Sequence, residues 1–295
     1  PVDKPLTASL RNSNRCAPHF SADVPGTSAR NSGPLQHLPP RVPIVKKRLP
    51  IAALLFAVAT PVPFAVPANE IPLPSYEQQK QQFMEQRSRS PDAARFSPGD
   101  RRIMQQAAEG LATRLPDPGL KVGARAPDFT LNNAFGSPLS LSEEWQKGPV
   151  ILVFYRGAWC PFCNLHLRAL QHSLPAFGRY GAQLIAVTPQ QPDKSAAQID
   201  KDGLPFEVLS DMDSAVMKAY GLYYELDPEL VGVYLSHDLN VAEYNGEGRN
   251  VLPVPGTFII DTRGVIRAVH ADVDYKQRME PEAILKALEA LPPPQ

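Results

Sequence analysis

Two cysteines, Cys160 and Cys163, stand two residues apart in the stretch FYRGAWCPFCNL, residues 154–165. A cysteine attacks as its thiolate, and an ordinary thiol with a pKa near ~8.5 is mostly protonated at neutral pH. The unpaired N–H groups and positive dipole end of a helix N-terminus favour the anion. The neighbouring residues predict such a position. VILVFY, residues 150–155, is an apolar run of strand length, RGA makes a turn, and Pro161 suits the first turn of a helix. Helical spacing at Leu165, Leu167, Leu170 and Leu174 follows. Both sulfurs are therefore expected at a helix N-terminus, near enough to close a disulfide and to cycle between dithiol and disulfide.

Other uses of such a pair are a chance arrangement and half of a metal site. A structural zinc needs four ligands, and the nearby addition is His166 alone. Asn164 follows Cys163, so the pattern for covalent haem attachment is absent. Redox chemistry is the expected role, and a metal-carrying module using Cys160, Cys163 and a histidine is an alternative of another class. The third cysteine, Cys16, lies far upstream, and a secreted disulfide scaffold would need more.

Composition bounds the rest. Lys plus Arg equals Asp plus Glu at 30 each in 295 residues. The balance favours neither nucleic acid, an anionic membrane nor an acidic substrate, and points to a small molecule or a protein as partner. The 33 prolines crowd the first half and the extreme tail. Residues 1–44 hold too few large apolar side chains to offset their ordering entropy and are expected to be a disordered leader. Lys46, Lys47 and Arg48 then precede PIAALLFAVA, with small residues around Ala65 and Ala68. Residues 45–68 are read as a secretory signal, too short and proline-broken for a stable membrane span. A signal begins a chain, so residues 1–44 are expected to reflect an upstream mis-start, with Val45 the true start. Location is then periplasmic or secreted; the alternative is a cytoplasmic protein with an internal apolar segment.

Residues 69–118 are expected to form a polar helical extension of two helices, with Ser97 or Asp100 capping the second. Ile103, Ala107, Leu111 and Leu115 share a face, so the second helix should dock. The first, with scattered Phe83 and Met84, is expected not to. From residue 119 to 295, strands alternate with helices: AQLIAVT, a helix over 195–201, FEVLSD, a helix closed by Gly221, a hairpin from GTFIID to VIRAVHA, and a last helix over 281–291. That order implies a parallel pair extended by antiparallel strands, with helices on both faces. Residues 222–251, carrying Tyr223, Tyr224, Tyr234 and Tyr244, read as a lid, a homodimer surface or a long connection; a packed insertion with a functional role is expected.

FYRGAWCPFC, AVTPQ, LPFEVLSD, LPVPGTFIID and DVDYKQRMEPEAIL together resemble the peroxiredoxin-like branch of the alkyl hydroperoxide reductase and thiol-specific antioxidant (AhpC/TSA) family. The resemblance spans residues 119–291. It implies an α/β, thioredoxin-like fold with a central mixed sheet flanked by helices. It also implies a thiol-dependent peroxidase that needs no metal or organic cofactor and is recycled by a thioredoxin-like protein. Aligned on Phe154 and Tyr155, the peroxidatic cysteine falls at Cys163, and Cys160 would resolve it into a disulfide. The WC start instead resembles disulfide reductases, in which Cys160 would attack protein disulfides and Cys163 resolve. Arg156 stands where the family has proline, Cys160 where it has threonine, and Pro255 where an arginine is expected. Arg156 could replace that arginine if it reaches the sulfur. Pro255 resembles the proline that faces the cysteines in thioredoxin folds through a cis bond, though Gly256 intervenes before Thr257. Trp159 is a candidate for the substrate surface. Thr188 and Gln190 are candidates for substrate hydrogen bonding or loop capping, and His166 and His172 are read as packing or surface residues.

Overall fold

The five residues of the strand after the proline-rich half, Val150–Phe154, are all buried, which places them at the centre of a sheet. The computed structural model describes residues 72–90 and 95–292, so the leader and the signal-like segment lie outside the described residues. In chain order the elements are α1 (Tyr76–Arg89), α2 (Pro98–Arg114), β1 (Thr130–Asn132), β2 (Pro138–Ser140), α3 (Leu141–Lys147), β3 (Val150–Phe154), α4 (Pro161–Gly178), β4 (Gln183–Thr188) and α5 (Pro192–Asp202). They continue with β5 (Glu207–Ser210), α6 (Ala215–Ala219), β6 (Tyr223–Glu225), α7 (Pro228–Ser236), α8 (Val241–Asn245), β7 (Val251–Pro253), β8 (Gly256–Ile260), β9 (Ile266–Ala271) and α9 (Pro281–Glu289).

The main sheet has the order β5-β4-β3-β8-β9. β3 pairs parallel with β4 and antiparallel with β8, where Phe154 faces Gly256. Side chains alternate across it, as strand geometry requires. Val150, Leu152 and Phe154 pack with Trp145, Met217 and Tyr220 on one face. Ile151 and Val153 pack with Leu167, Leu170, Ile284 and Leu288 of α4 and α9 on the other. This is the mixed, helix-flanked sheet of a thioredoxin-like fold.

Several expectations need correction. The parallel part has three strands, because α5 carries the chain back to lay β5 parallel to β4. That helix begins at Pro192 instead of Ser195, proline being preorganised for a first helical position. α1 also docks. Its Tyr76 is 1% exposed, and Phe83 meets the Phe162 ring edge-on at 5.5 Å. An apolar stripe was the wrong test for this helix, since two rings, Tyr76 and Phe83, and its polar N-terminus make the contact. α2 docks as expected through buried Leu111, with a capping box between Ser97 and Asp100.

Residues 222–251 form a packed insertion. β6 pairs with β7, and Leu226, Leu230, Val241 and Leu252 make a small core that also takes in Met104, Ala107 and Trp159. No helix among the described residues is long and apolar enough to cross a membrane.

Candidate active site

β3 ends at Phe154, and the turn through Trp159 delivers Cys160 to the N-cap of α4 and Cys163 to its third position. The Cys160 carbonyl accepts the N–H groups of Cys163 and Asn164, each at 3.1 Å. Both thiols are unbonded, and both residues are 1% exposed. Buried amides brace the turn. Gln190 Oε1 accepts the Ala158 N–H at 2.8 Å, while Asn164 Nδ2 donates to the Ala158 carbonyl at 2.7 Å. Gln198 links Asn164 to the Tyr155 hydroxyl. Gly157 sits at φ +145°, where a Cβ would lie 2.7 Å from Trp159 Nε1.

The two sulfurs are not equivalent. Arg278, 8% exposed, places Nη2 3.4 Å from Cys163 Sγ, and its other nitrogen donates to the carbonyls of Tyr275 and Gln277. Burial pushes the Cys163 thiol up. The hydrogen bond with Cys160, the Arg278 guanidinium and then the Arg156 backbone and side chain outweigh burial and hold it at about 5. Burial and the neighbouring Cys163 push the Cys160 thiol well up instead. These charges favour the anion on Cys163 and the neutral thiol on Cys160.

Above the pair lies a cleft of about 480 Å³, lined by Cys160, Pro161, Trp159, Arg156, Tyr234 and Tyr275 among others. Arg156 is 3% exposed and stays inside. Its guanidinium carbon is 4.9 Å from the Trp159 ring centre and 4.3 Å from that of Tyr275, and Nη2 donates to the Tyr234 hydroxyl at 2.9 Å. It makes no side-chain hydrogen bond to either sulfur; the guanidinium that reaches Cys163 Sγ is that of Arg278.

Among the other expected residues, Trp159 and Pro161 line the cleft, and the buried Trp159 Nε1 has no hydrogen-bond partner among the described residues. Gln190 is a loop brace. Thr188 is fully buried at the end of β4 and is not among the cleft residues. Pro255 is buried one step beyond the Phe154–Gly256 pair, outside the cleft lining, and its peptide bond is trans. His166 is buried, with Nε2 3.1 Å from the Met279 carbonyl oxygen, and His172 is exposed. Among the described residues no group of three or more His, Cys, Asp or Glu side chains is placed to hold a metal ion.

Sequence reasoning missed Arg278. It is 115 residues from Cys163, with no spacing that ties the two together. Its only local sign is a basic residue just before a proline-started helix, which is a common surface pattern.

A family model described as the AhpC/TSA family matches residues 122–269, half of the chain. The chain belongs to the AhpC/TSA family. A Mycobacterium tuberculosis protein whose name reads "Putative peroxiredoxin" is 36% identical over 106 residues, 36% of this chain and 67% of that one. The thiol-disulfide oxidoreductase ResA of Geobacillus kaustophilus is 27% identical over 160 residues, 54% of this chain and 74% of its own. The solved structure of the peroxidoxin BcpB from Mycobacterium tuberculosis is similar at 22% identity and a TM-score of 0.47, covering 59% of this chain and 99% of that one. The AhpC/TSA match ends before Arg278 and begins after α1 and α2.

Proposed function

We propose that the chain is a thiol-dependent peroxidase in which Cys163 is the attacking sulfur. The observation that carries this is the Arg278 guanidinium 3.4 Å from Cys163 Sγ at a helix N-terminus. A hydroperoxide enters by the cleft, and the Cys163 thiolate attacks its terminal oxygen. An S–OH bond forms, the O–O bond breaks, and the leaving oxygen takes a proton from solvent and departs as water or an alcohol. Preorganised positive charge from Arg156 and Arg278 stabilises that oxygen as charge builds on it. Cys160 then gives up its proton and attacks Cys163 Sγ. The S–S bond forms, the S–O bond breaks, and water leaves. A dithiol protein of the thioredoxin kind returns the disulfide to two thiols by exchange.

Stopped-flow mixing of reduced protein with hydrogen peroxide tests the assignment. Fast oxidation is expected to vanish in Cys163→Ser and to persist in Cys160→Ser, where dimedone should trap a sulfenic acid on Cys163. The reverse pattern would sink it.

A second reading has one observation in its favour: Cys160, and not Cys163, lines the cleft. A protein disulfide docking there would meet Cys160 first, as in a thiol:disulfide oxidoreductase. Its raised thiol pKa makes it the weaker nucleophile at neutral pH. Insulin reduction that is lost in Cys160→Ser, without fast peroxide oxidation, would select this reading.

A further inference from the structure

The segment that brings Arg278 to Cys163 follows the last strand of the sheet and has no regular structure of its own between β9 and α9. It is nevertheless held from outside at three places. The Tyr76 hydroxyl donates to the Lys276 carbonyl at 2.7 Å. The Met279 carbonyl oxygen lies 3.1 Å from His166 Nε2, and the His166 ring stands edge-on to Tyr76 at 5.6 Å. Third, the Glu280 carboxylate accepts the N–H groups of Tyr76 and Glu77 at 2.9 and 2.7 Å, one to each oxygen.

Glu280 is the N-cap residue of α9, yet its side chain makes no bond to that helix. It caps α1 instead. Those two N–H groups open α1 and have no intrahelical partner, and the next, on Gln78, goes to Ser75 Oγ. A carboxylate there gains from charge-assisted hydrogen bonds and from the positive dipole end of a helix of 14 residues. Arg278 lies two residues before this anchor, and neither α1 nor Arg278 falls in the segment matched by the family model.

We propose that α1 belongs to the active site as a positioning element, clamping the 275–280 segment through Tyr76 and Glu280 so that Arg278 stays on Cys163. Neither Tyr76 nor Glu280 hydrogen-bonds the sulfur or lines the cleft; Tyr76 stands near Cys163, but burial keeps its phenol neutral, so both act through the arginine. The inference rests on the peroxidase reading for its purpose, but its geometry and its test need no peroxide.

The test is the pH dependence of Cys163 alkylation by iodoacetamide in the full chain, read site by site by mass spectrometry. Cys163 faces Cys160, the Arg156 and Arg278 guanidiniums and the phenols of Tyr76, Tyr155 and Tyr224, so the midpoint reports that cluster. Arg278→Met should raise the midpoint by about one pH unit or more, the scale of one lost charge contact. Glu280→Ala should raise it in the same direction, Glu280→Asp less, and Gln82→Ala on the exposed side of α1 not at all. Adding Glu280→Ala to Arg278→Met should change nothing further, because both act through one guanidinium. Tyr76→Phe removes a single hydroxyl and gives a second route if Glu280→Ala does not fold. A folded Glu280→Ala or Tyr76→Phe with an unmoved midpoint, or shifts that add in the double variant, would overturn the proposal while leaving the role of Arg278 intact. An unmoved midpoint in Arg278→Met would overturn both. Peroxide inertness with the expected shifts would overturn the peroxidase reading alone.

Discussion

Two guanidiniums and two thiols cluster below the cleft, of which Arg156 and Cys160 line it, and the groups named around Arg156 are Tyr234, Tyr224, Cys160 and Tyr275. One negative charge is therefore strongly favoured there, and the geometry gives it to Cys163. A second thiolate beside the first would be repelled, which is why the same pair holds one low and one high thiol. Peroxide oxidation of Cys163 should accordingly be independent of pH from neutrality downward until it falls with a midpoint near 5. Stopped-flow rates across pH 4–8 check this, and a midpoint near the ordinary thiol value of ~8.5 would contradict it. The sign for stability follows from the same shift. Cys163 has a folded pKa below its unfolded one, so its contribution is full above the ordinary thiol range and is lost as pH falls through about 5. Arg156 and Arg278 divide the surroundings of the pair between them. Its burial behind Trp159 and Tyr275 keeps it in the site, but Tyr234 takes its hydrogen bond and Arg278 takes the sulfur.

At the scale of elements, the strand, turn and start of α4 form one unit whose precision depends on the turn. Gly157 takes a backbone conformation that side chains rarely adopt and has Trp159 and the Gln190 amide against it. Gly157→Ala is expected to destabilise the fold by about 1–3 kcal/mol and to slow peroxide oxidation, because relief requires moving the residues that brace Ala158. Gly178, at the far end of α4, has nothing within 4 Å of an added Cβ. Gly178→Ala should therefore stabilise by about 0.4–1 kcal/mol and leave the oxidation rate unchanged. Urea unfolding of both variants, with oxidation rates alongside, gives the comparison; equal effects would show that the turn is not special. The helix start at Pro161, the Ser97 cap and the Gly221 stop were all legible in the sequence, because each depends on residues within one or two turns. α1 was not, because its docking rests on a carboxylate 203 residues away in the chain and not on an apolar face.

For the whole molecule, acid should weaken the fold through a second group in the same cluster. Burial, followed by the Arg278 charge, lowers His166 to about 3. An unfolded histidine takes up its proton near 6.5 while the folded one does not, so stability is full above that value and is lost as pH falls toward 3. His270, lowered chiefly by burial, acts with the same sign. Thermal melts should lose less between pH 6.5 and 4 in His166→Gln than in wild type, and an identical loss would remove His166 as the cause. The sequence by itself determined the seat of the chemistry: a thiol pair opening a helix after a buried strand, in a sheet of alternating strands and helices that the family resemblance, and not the local pattern, marks as thioredoxin-like. Those features rest on local backbone preference, helix-end electrostatics and the two-residue alternation of a buried strand, all of which act over a few residues. Only the tertiary structure decided which sulfur is the anion, because that follows from the positions of charges. Arg278 meets Cys163 from 115 residues away, and α1 meets the segment that carries Arg278 from 204 residues away, with nothing in their own neighbourhoods to record either meeting.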